Sequence, residues 1–586
     1  MIDAAAPFVL LDDARTTGAG PARLFRRPIE FVEARTPDEV RPALRRLRVA
    51  GARGLHAAGF LSYEAGHALE PKLAPLTTSA AADEPPLLWF GLFEHHEEVE
   101  DVGSLLPDPA SAWASAPTPL VSRERFLAGV AAVQEHIAAG NIYQANLTFQ
   151  AEVLTAGSPL AVYAQVRQRA RGGHGALVFT GAHWILSFSP ELFFTLEAGR
   201  LTARPMKGTA ERRHDPAADA VAIEELRTDP KQRAENLMIV DLLRNDLSRV
   251  SKPGTVKVPH LFAVETYPTV HQMTSTVTSE LEDGLDPIDA VEALFPCGSI
   301  TGAPKIRAME IIAETEGRPR GVYTGSIGRV APDGQASFNV AIRTLTLRAG
   351  ESRAVMGLGA GIVADSRASD EWRECLAKGA FLKSGSFDLI ETMRFDPQDG
   401  VAELDRHLTR IKASADALGF AFDRHGARNE LQAATFRLRE PKKVRLRLSP
   451  SGAVAIEARP LPADPVATVE VAIAPRPVPP DDFRLAHKTS DRAFYDEARQ
   501  ASGRFETLFV DDEGFLTEGS FTHLFVERDG TLVTPPLSRG LLPGILRARL
   551  IEQGEAVEAD VALASLPQEF YIGNNVRGLI RARRAA

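Results

Sequence analysis

Residues 382–389, LKSGSFDL, interrupt an otherwise continuous run of helix and strand signals, and the pattern starts afresh behind them. A chain of 586 residues is too long for one core and divides into roughly two to four domains. The break places a boundary near Ser384, giving domains 1–383 and 384–586. Ahead of it, Phe126, Val130, Val133 and Ile137 recur at helical spacing, with Ser122 as cap and Gly140 as stop. A second helix opens with Asp286 capping and Pro287 at the first position, and a third runs from Pro304 to Gly317. Alternation marks strands in GALVFTG, ASFNVAIRTLTL and VRLRLSPSGAVAIEA. Behind the break come a strand and a helix with Leu408, Ile411, Ala415 and Leu418 on one face, ended by Gly419. The fold class is therefore mixed α/β throughout.

Composition excludes several functions. The chain is 44% hydrophobic and 25% charged with a formal net charge of −10, and no dense basic patch points to nucleic acid. No apolar run approaches the roughly 20 residues that span a bilayer. The opening MIDAAAPFVLLDDAR lacks the basic and apolar regions of a signal peptide. Two cysteines, Cys297 and Cys375, give no disulfide framework and suit a reducing cytosol. The expected location is cytoplasmic.

Several stretches carry chemistry. TARPMKGTAERR, residues 202–213, sets Lys207 at a strand end before Gly208. A lone lysine beside a turn glycine is ordinarily a surface residue, so its meaning depends on the rest of the chain. Glu371 and Glu374 share a helix face, and Glu235 lies at the start of another helix. Such carboxylates can converge on Mg²⁺, which takes oxygen ligands and keeps waters. Gly298, Ser299, Thr301 and Gly302 precede a proline-started helix, either as an anion site or as a structural turn. Gly357, Gly359 and Gly361 would let a ligand approach a strand backbone.

In order, GNIYQANLTFQ, SFSPELFF, RPMKGTAERR, AENLMIVDLLRNDLSRV, GSITGAPKIRAMEII, FNVAIRTL, GAGIVADS and EWRECLAK resemble the chorismate-utilising enzymes over about residues 5–380. That resemblance implies a two-layered sandwich of large antiparallel sheets flanked by helices, acting on chorismate. Lysine at position 207, where anthranilate synthases have alanine, implies amination at C4 with Lys207 as a covalent nucleophile. Gln144 replaces the base lysine of relatives that activate water, which implies ammonia as the second nucleophile. By the same resemblance Glu235, Glu371 and Glu374 hold Mg²⁺, and Arg343 grips the enolpyruvyl carboxylate. Thr301, Tyr323, Gly359 and Gly361 line the substrate, and His271 stands near the leaving hydroxyl. LSYEAG, near residue 61, fits a subregion where some relatives bind tryptophan. Neither cysteine sits in a glutaminase-like turn, so ammonia or a separate glutaminase subunit is expected.

SFDLIETMRF, RHLTRIKASADALGF, HKTSDRAFYDEAR, FVDDEGFLTEGSFTHLFV, TPPLSRGLLPGILRARL and IGNNVRGLI resemble the class IV aminotransferase-like enzymes over 385–584. That implies a two-subdomain fold type IV domain using pyridoxal phosphate, lyase chemistry that removes pyruvate from the product of the first domain to give 4-aminobenzoate, and a homodimer through this domain. Lys488 would bind the cofactor covalently and Glu518 would face its ring nitrogen. Arg410 and the turn around Ile545 and Leu546 would hold its phosphate. Two departures stand out: His523 where many relatives have asparagine, which bears on the electronics of the site, and Leu546 where aminotransferases often have threonine.

Overall fold

The computed structural model describes every residue except 1, 3, 214, 267–269, 383, 384 and 586. The boundary expected at Ser384 and part of the segment before His271 thus lie outside the described residues. The chain separates into two compact units. The first comprises Met1–Leu106, Ala116–Val153 and Tyr163–Lys383; the second comprises Ser384–Ala586 with two earlier pieces, Pro107–Ser115 and Leu154–Val162. Those pieces belong to the second unit because their apolar groups complete its core: Trp113 and Ala156 pack against the cluster of Phe387, Leu389 and Phe420.

In the first unit two large sheets face each other. One runs Gly302–Ala303, Gln144–Ala156, Arg353–Ile362, Thr344–Arg348, His183–Ser187, Gly175–Phe179, Phe8–Asp12, Ala22–Arg26, Glu97–Val99. The other runs Met206–Glu211, Val270–Glu280, Arg200–Arg204, Leu192–Glu197, Ala336–Asn339, Ser326–Val330, His56–Leu61, Leu88–Phe93, Glu30–Ala34, with Lys257–Thr266 beside Val270–Glu280. The strand His56–Leu61 shows why both faces are apolar. Ala58 and Phe60 enter the core between the sheets with Val9, Phe25 and Ile185. Ala57 and Leu61 point the other way, into a core shared with Leu44, Ile239, Val240, Leu243 and Val291 of the covering helices.

The run ASFNVAIRTLTL is not one strand. It forms Ala336–Asn339 in one sheet and Thr344–Arg348 in the other, and the crossing turns at Arg343, whose φ is +50°. Alternation alone shows no such change of sheet.

The second unit has two layers of its own. A small sheet, Gly400–Val401, Leu389–Asp396, Lys442–Leu448, Val454–Pro460, is covered on one face by the helices Leu404–Leu418 and Arg424–Thr435. A larger sheet orders Leu516–Gly519, Glu506–Val510, Val469–Pro475, Gly578–Arg584, Glu569–Asn574 and His523–Arg528, then Thr531–Thr534 and Ala556–Glu558. Pairing of Glu518 with His523 closes its first six strands into a ring around Val471, Leu508, Leu524, Ile572 and Ile580.

Two candidate active sites

Lys207 sits in a register shift between Met206 and Thr209, where its strand pairs with Val270–Glu280. Such a bulge breaks the ladder and re-aims a side chain. Gly208 has φ +94°, a region costly for other residues, and is packed against Gln232 and Met273. Thus a lysine that sequence places at an ordinary strand end is aimed by an irregular backbone. Its amine faces Gly361, where an added Cβ would lie 3.4 Å from Lys207 Nζ and 2.7 Å from Gln144 Nε2. Gln144 is 2% exposed, and its Oε1 is buried without a hydrogen-bond partner. Burial holds the Lys207 amine below the ordinary lysine range, and Lys378 adds to this; Glu191, Glu235 and Glu374 pull the other way.

Glu191, in SPELFF, was not among the residues singled out from sequence. It is 5% exposed with Oε1 unpartnered. Burial raises its pKa, against the Ser299 hydroxyl and the Lys207 charge. Its proton is therefore held above the ordinary carboxylate range in a place where a basic amine is close. Its only sequence signal was an acid inside an apolar strand-like run.

The three glutamates sense one another. Burial raises the pKa of Glu235 and Glu371, and mutual repulsion with Glu374 adds to it. Ser366 Oγ donates to Glu371 at 2.7 Å, Lys378 pairs with Glu374 at 2.8 Å, and Lys378 Nζ also donates to the Gly359 carbonyl at 2.9 Å. Among the described residues no group of three or more His, Cys, Asp or Glu is gathered closely enough to enclose a metal ion. The donors are nonetheless of the kind Mg²⁺ takes, and Mg²⁺ is commonly held by one or two carboxylates plus substrate and water. The donors suit Mg²⁺ in kind, without forming a closed ligand set of their own.

The glycines of GLGAG are set by close packing. A Cβ on Gly357 would meet the Tyr323 ring at 1.9 Å, and one on Gly359 would meet Thr148 Cγ2 at 2.6 Å. Arg343 lies over the Phe381 ring at 5.7 Å in its left-handed backbone. For an arginine that conformation is costly and is concentrated at functional sites. The Thr301 hydroxyl is turned onto the carbonyls of Cys297 and Gly298, a turn-holding arrangement. Both ring nitrogens of His271 are occupied, by Asp219 at 2.8 Å and Thr266 at 3.0 Å. The structure gives His271 these partners and not the groups around Lys207. In LSYEAG, Glu64 accepts the Arg320 and Gly321 amides, and the Arg320 guanidinium lies 4.5 Å from the Tyr63 ring centroid. A cavity of about 350 Å³ is lined by Thr148, Glu316, Arg320 and Tyr323 and does not include Lys207 or Gln144.

In the second unit, Lys488 forms an antiparallel bridge region with Leu389–Asp396: Ile390 N donates to Lys488 O at 2.8 Å, beside the bridge Leu389–Thr489. Burial, helped by Arg410, pushes its amine down to about 7. Glu518 is 5% exposed, accepts from the Tyr495 hydroxyl and from Leu542 N, and is pushed up to about 7 by burial. Arg410 is fixed by Glu391 at 2.6 and 2.8 Å and donates to Pro543 O at 3.0 Å, which ties it to the turn before the helix Ile545–Glu552. That helix start leaves first-turn N–H groups without intrahelical partners. His523 touches Gly544, where a Cβ would lie 2.0 Å from Nε2, and its buried Nδ1 is 3.9 Å from Glu518. Burial drops His523 to about 3, so it is neutral. Leu546 packs with Phe525 and Leu550, so a backbone group rather than its side chain is available to a phosphate. An amine with a lowered pKa, a buried acid and an anchored arginine at a helix start fit pyridoxal phosphate.

Residues 7–384 match the family of the chorismate binding enzymes, and residues 388–585 match the class IV amino-transferases. The first match spans more than half the sequence: the chain belongs to the chorismate binding enzymes, and it also carries a class IV aminotransferase domain. Aminodeoxychorismate synthase component 1 of Klebsiella aerogenes is 42% identical over 268 residues, covering 46% of this chain and 58% of that protein. Anthranilate synthase component 1 of Streptomyces coelicolor is 41% identical over 271 residues, covering 46% and 53%. The chain thus spans little more than half the length of these curated relatives. The crystal structure of anthranilate synthase component I from Streptococcus pneumoniae is 26% identical with a TM-score of 0.54, covering 63% of this chain and 93% of that one. No helix among the described residues is long and apolar enough to cross a membrane.

Proposed function

We propose that the first unit aminates chorismate to 4-amino-4-deoxychorismate and that the second removes pyruvate from it, giving 4-aminobenzoate, a folate precursor. The observation that carries the reading is the Lys207 amine, aimed by its bulge at Gln144 and Gly361 beside Glu191. Overall identity does not separate 4-amination from anthranilate formation, since relatives of both names match at 42% and 41%. A nucleophilic amine does, because replacing the 4-hydroxyl with retained configuration takes two displacements.

The neutral Lys207 amine adds at ring C2 while the C4–O bond breaks. Glu191 gives its proton to the departing oxygen, which leaves as water. Ammonia then adds at C4 as the C2–N bond breaks, its electron pair returning to Lys207 as a neutral amine, and the new C4 ammonium passes one proton to the Glu191 carboxylate, which restores the acid. Glu191 suits the proton transfer better than His271, whose ring is already engaged. Gln144 can accept a hydrogen bond from ammonia at its unpartnered Oε1 but cannot activate water. Arg343 would hold the enolpyruvyl carboxylate as a fork. Glu235, Glu371 and Glu374 would hold Mg²⁺, whose charge would neutralise the ring carboxylate.

In the second unit Lys488, Glu518, Arg410 and the backbone at Ile545 and Leu546 would hold pyridoxal phosphate. That cofactor supplies an electron sink for the charge left when the C4 proton departs. Lys488, with its lowered pKa, takes that proton and returns one to the leaving enolpyruvate. Glu518 would face the ring nitrogen and favour its protonated form. The neutral His523 adds no charge that would compete with Glu518.

Both cysteines are buried with thiols pushed up to about 12, so neither serves as a glutaminase nucleophile. Ammonia therefore comes from a separate glutaminase subunit or from solution. A cytoplasmic location and a homodimer through the second unit complete the reading. Product analysis with chorismate, an ammonium salt, Mg²⁺ and pyridoxal phosphate tests it. The wild-type chain should yield 4-aminobenzoate and pyruvate, and Lys488→Ala should accumulate 4-amino-4-deoxychorismate. Anthranilate as the main product would refute the assignment.

A further inference from the structure

The small sheet of the second unit buries one face under its helices and leaves the other to three rows of side chains. In an antiparallel sheet, residues directly opposite each other point to the same face. Register therefore groups Ile390 with Arg447 and Ala455, Thr392 with Arg445 and Glu457, and Arg394 with Lys443 and Arg459. Lys488 lies opposite Ile390 on the far side of the same strand, since Leu389 bridges Thr489 and Ile390 N donates to Lys488 O. Its side chain shares this face.

The face is cationic in a way that folding alone does not explain. Arg447 is paired with Asp388 at 2.5 Å, and Arg459 with Glu457. Arg394, Lys443 and Arg445 remain, half-buried, and no side-chain ion pair or hydrogen bond engages them among the described residues. Arg394 and Lys443 stand directly across from each other, a like-charge pairing that destabilises a sheet. The Nε of Arg445 is buried without a partner. Burial lowers the Lys443 ammonium, and Arg445, Arg459 and Arg577 lower it further, against the opposing pull of Glu457. Arg445 is also among the charges felt by the Lys488 amine.

We infer that Arg394, Lys443 and Arg445 form a carboxylate-binding lane beside Lys488 that selects a dicarboxylate substrate. The rows are about 6.8 Å apart along the strands, so a ring molecule anchored at Lys488 reaches the Arg445 row with its far end, and the long side chains of Arg394 and Lys443 have about the same distance to span from the row beyond. The inference rests on reading this unit as the lyase and adds its specificity. The substrate of that step carries two carboxylates, one on the ring and one on the enolpyruvyl ether. A simple amino acid with one carboxylate leaves part of the lane unpaired, and unpaired charge in a half-buried place is costly.

The test uses the full chain loaded with pyridoxal phosphate. Isophthalate, an aromatic dicarboxylate, and benzoate, a monocarboxylate, are titrated against the cofactor absorption band in wild type, Arg445→Gln and Lys443→Gln. Both variants should load cofactor as wild type does, which shows that they fold. Isophthalate binding should weaken about tenfold or more in each, and benzoate binding about threefold or less, as expected for loss of a charge-assisted contact. With supplied 4-amino-4-deoxychorismate, KM should rise in parallel while kcat changes little. Equal weakening of both probes, or none, would overturn the lane. Should the wild type release no pyruvate while isophthalate still binds and is lost in Arg445→Gln, the lane stands and the lyase reading fails. Should pyruvate form at an unchanged KM in Arg445→Gln, the lyase reading stands and the lane fails.

Discussion

Gln144 and Lys207 close on the same point: the space where Gly361 would carry a Cβ lies 2.7 Å from the Gln144 amide nitrogen and 3.4 Å from the Lys207 amine. The two residues on which the proposed reading turns thus meet across one glycine. Replacing Lys207 by Ala removes the nucleophile and leaves the cleft shape nearly intact. Formation of 4-amino-4-deoxychorismate should fall to background, measured by chromatography with chorismate and ammonia, with no large change in thermal midpoint.

Glu191→Gln should slow the first step by about 10²-fold or more, the usual worth of a positioned proton donor. Substrate affinity should change little, because glutamine keeps the shape and the Ser299 contact. In rate–pH profiles of the wild type, the limb on which activity falls with rising pH should reflect loss of the Glu191 proton. Its pKa is raised by burial, so the protonated donor persists above the ordinary carboxylate range. Glu191→Gln should lack that limb.

Chelation of divalent metal, or Glu371→Gln, should abolish amination of chorismate and leave pyruvate release from supplied 4-amino-4-deoxychorismate within about twofold, since the carboxylate set belongs to the first site alone. Loss of both steps on chelation would show that the two chemistries are not separate.

The Lys488 amine should react with cofactor at unusually low pH. Its pKa is depressed to about 7, so the neutral, reactive amine dominates above that pH and falls tenfold per unit below it. The rate of pyridoxal phosphate uptake by the cofactor-free chain should rise with pH and level off near 7. An ordinary lysine would keep gaining up to about 10.4. Stopped-flow absorbance distinguishes the two profiles.

Local signals read correctly where the cause is local. Ser122 caps the helix Arg123–Ala138 by accepting Arg125 N, Asp286 caps Pro287–Leu294, and Gly317 ends Lys305–Glu316 with φ +65°. VRLRLSPSGAVAIEA forms the paired strands Lys442–Leu448 and Val454–Pro460. What stayed hidden depends on partners distant in sequence. The bulge that aims Lys207 exists only against Val270–Glu280, and Glu191 gains its raised pKa only inside a packed cleft. Pro107–Ser115 and Leu154–Val162 carry no sign that they complete the second unit, since that follows from where Trp113 and Ala156 find apolar cover. That Arg394 stands opposite Lys443 likewise follows from register alone.

The covalent role of Lys207 is tested most directly by intact-protein and peptide mass spectrometry of the chain mixed with chorismate and Mg²⁺ in the absence of ammonia. An adduct of chorismate less one water should appear on the peptide containing Lys207, disappear when ammonium salt is added, and be absent from Lys207→Ala. Steady formation of 4-amino-4-deoxychorismate by the wild type with no such adduct under quenched conditions, or unchanged formation by Lys207→Ala, would contradict the account.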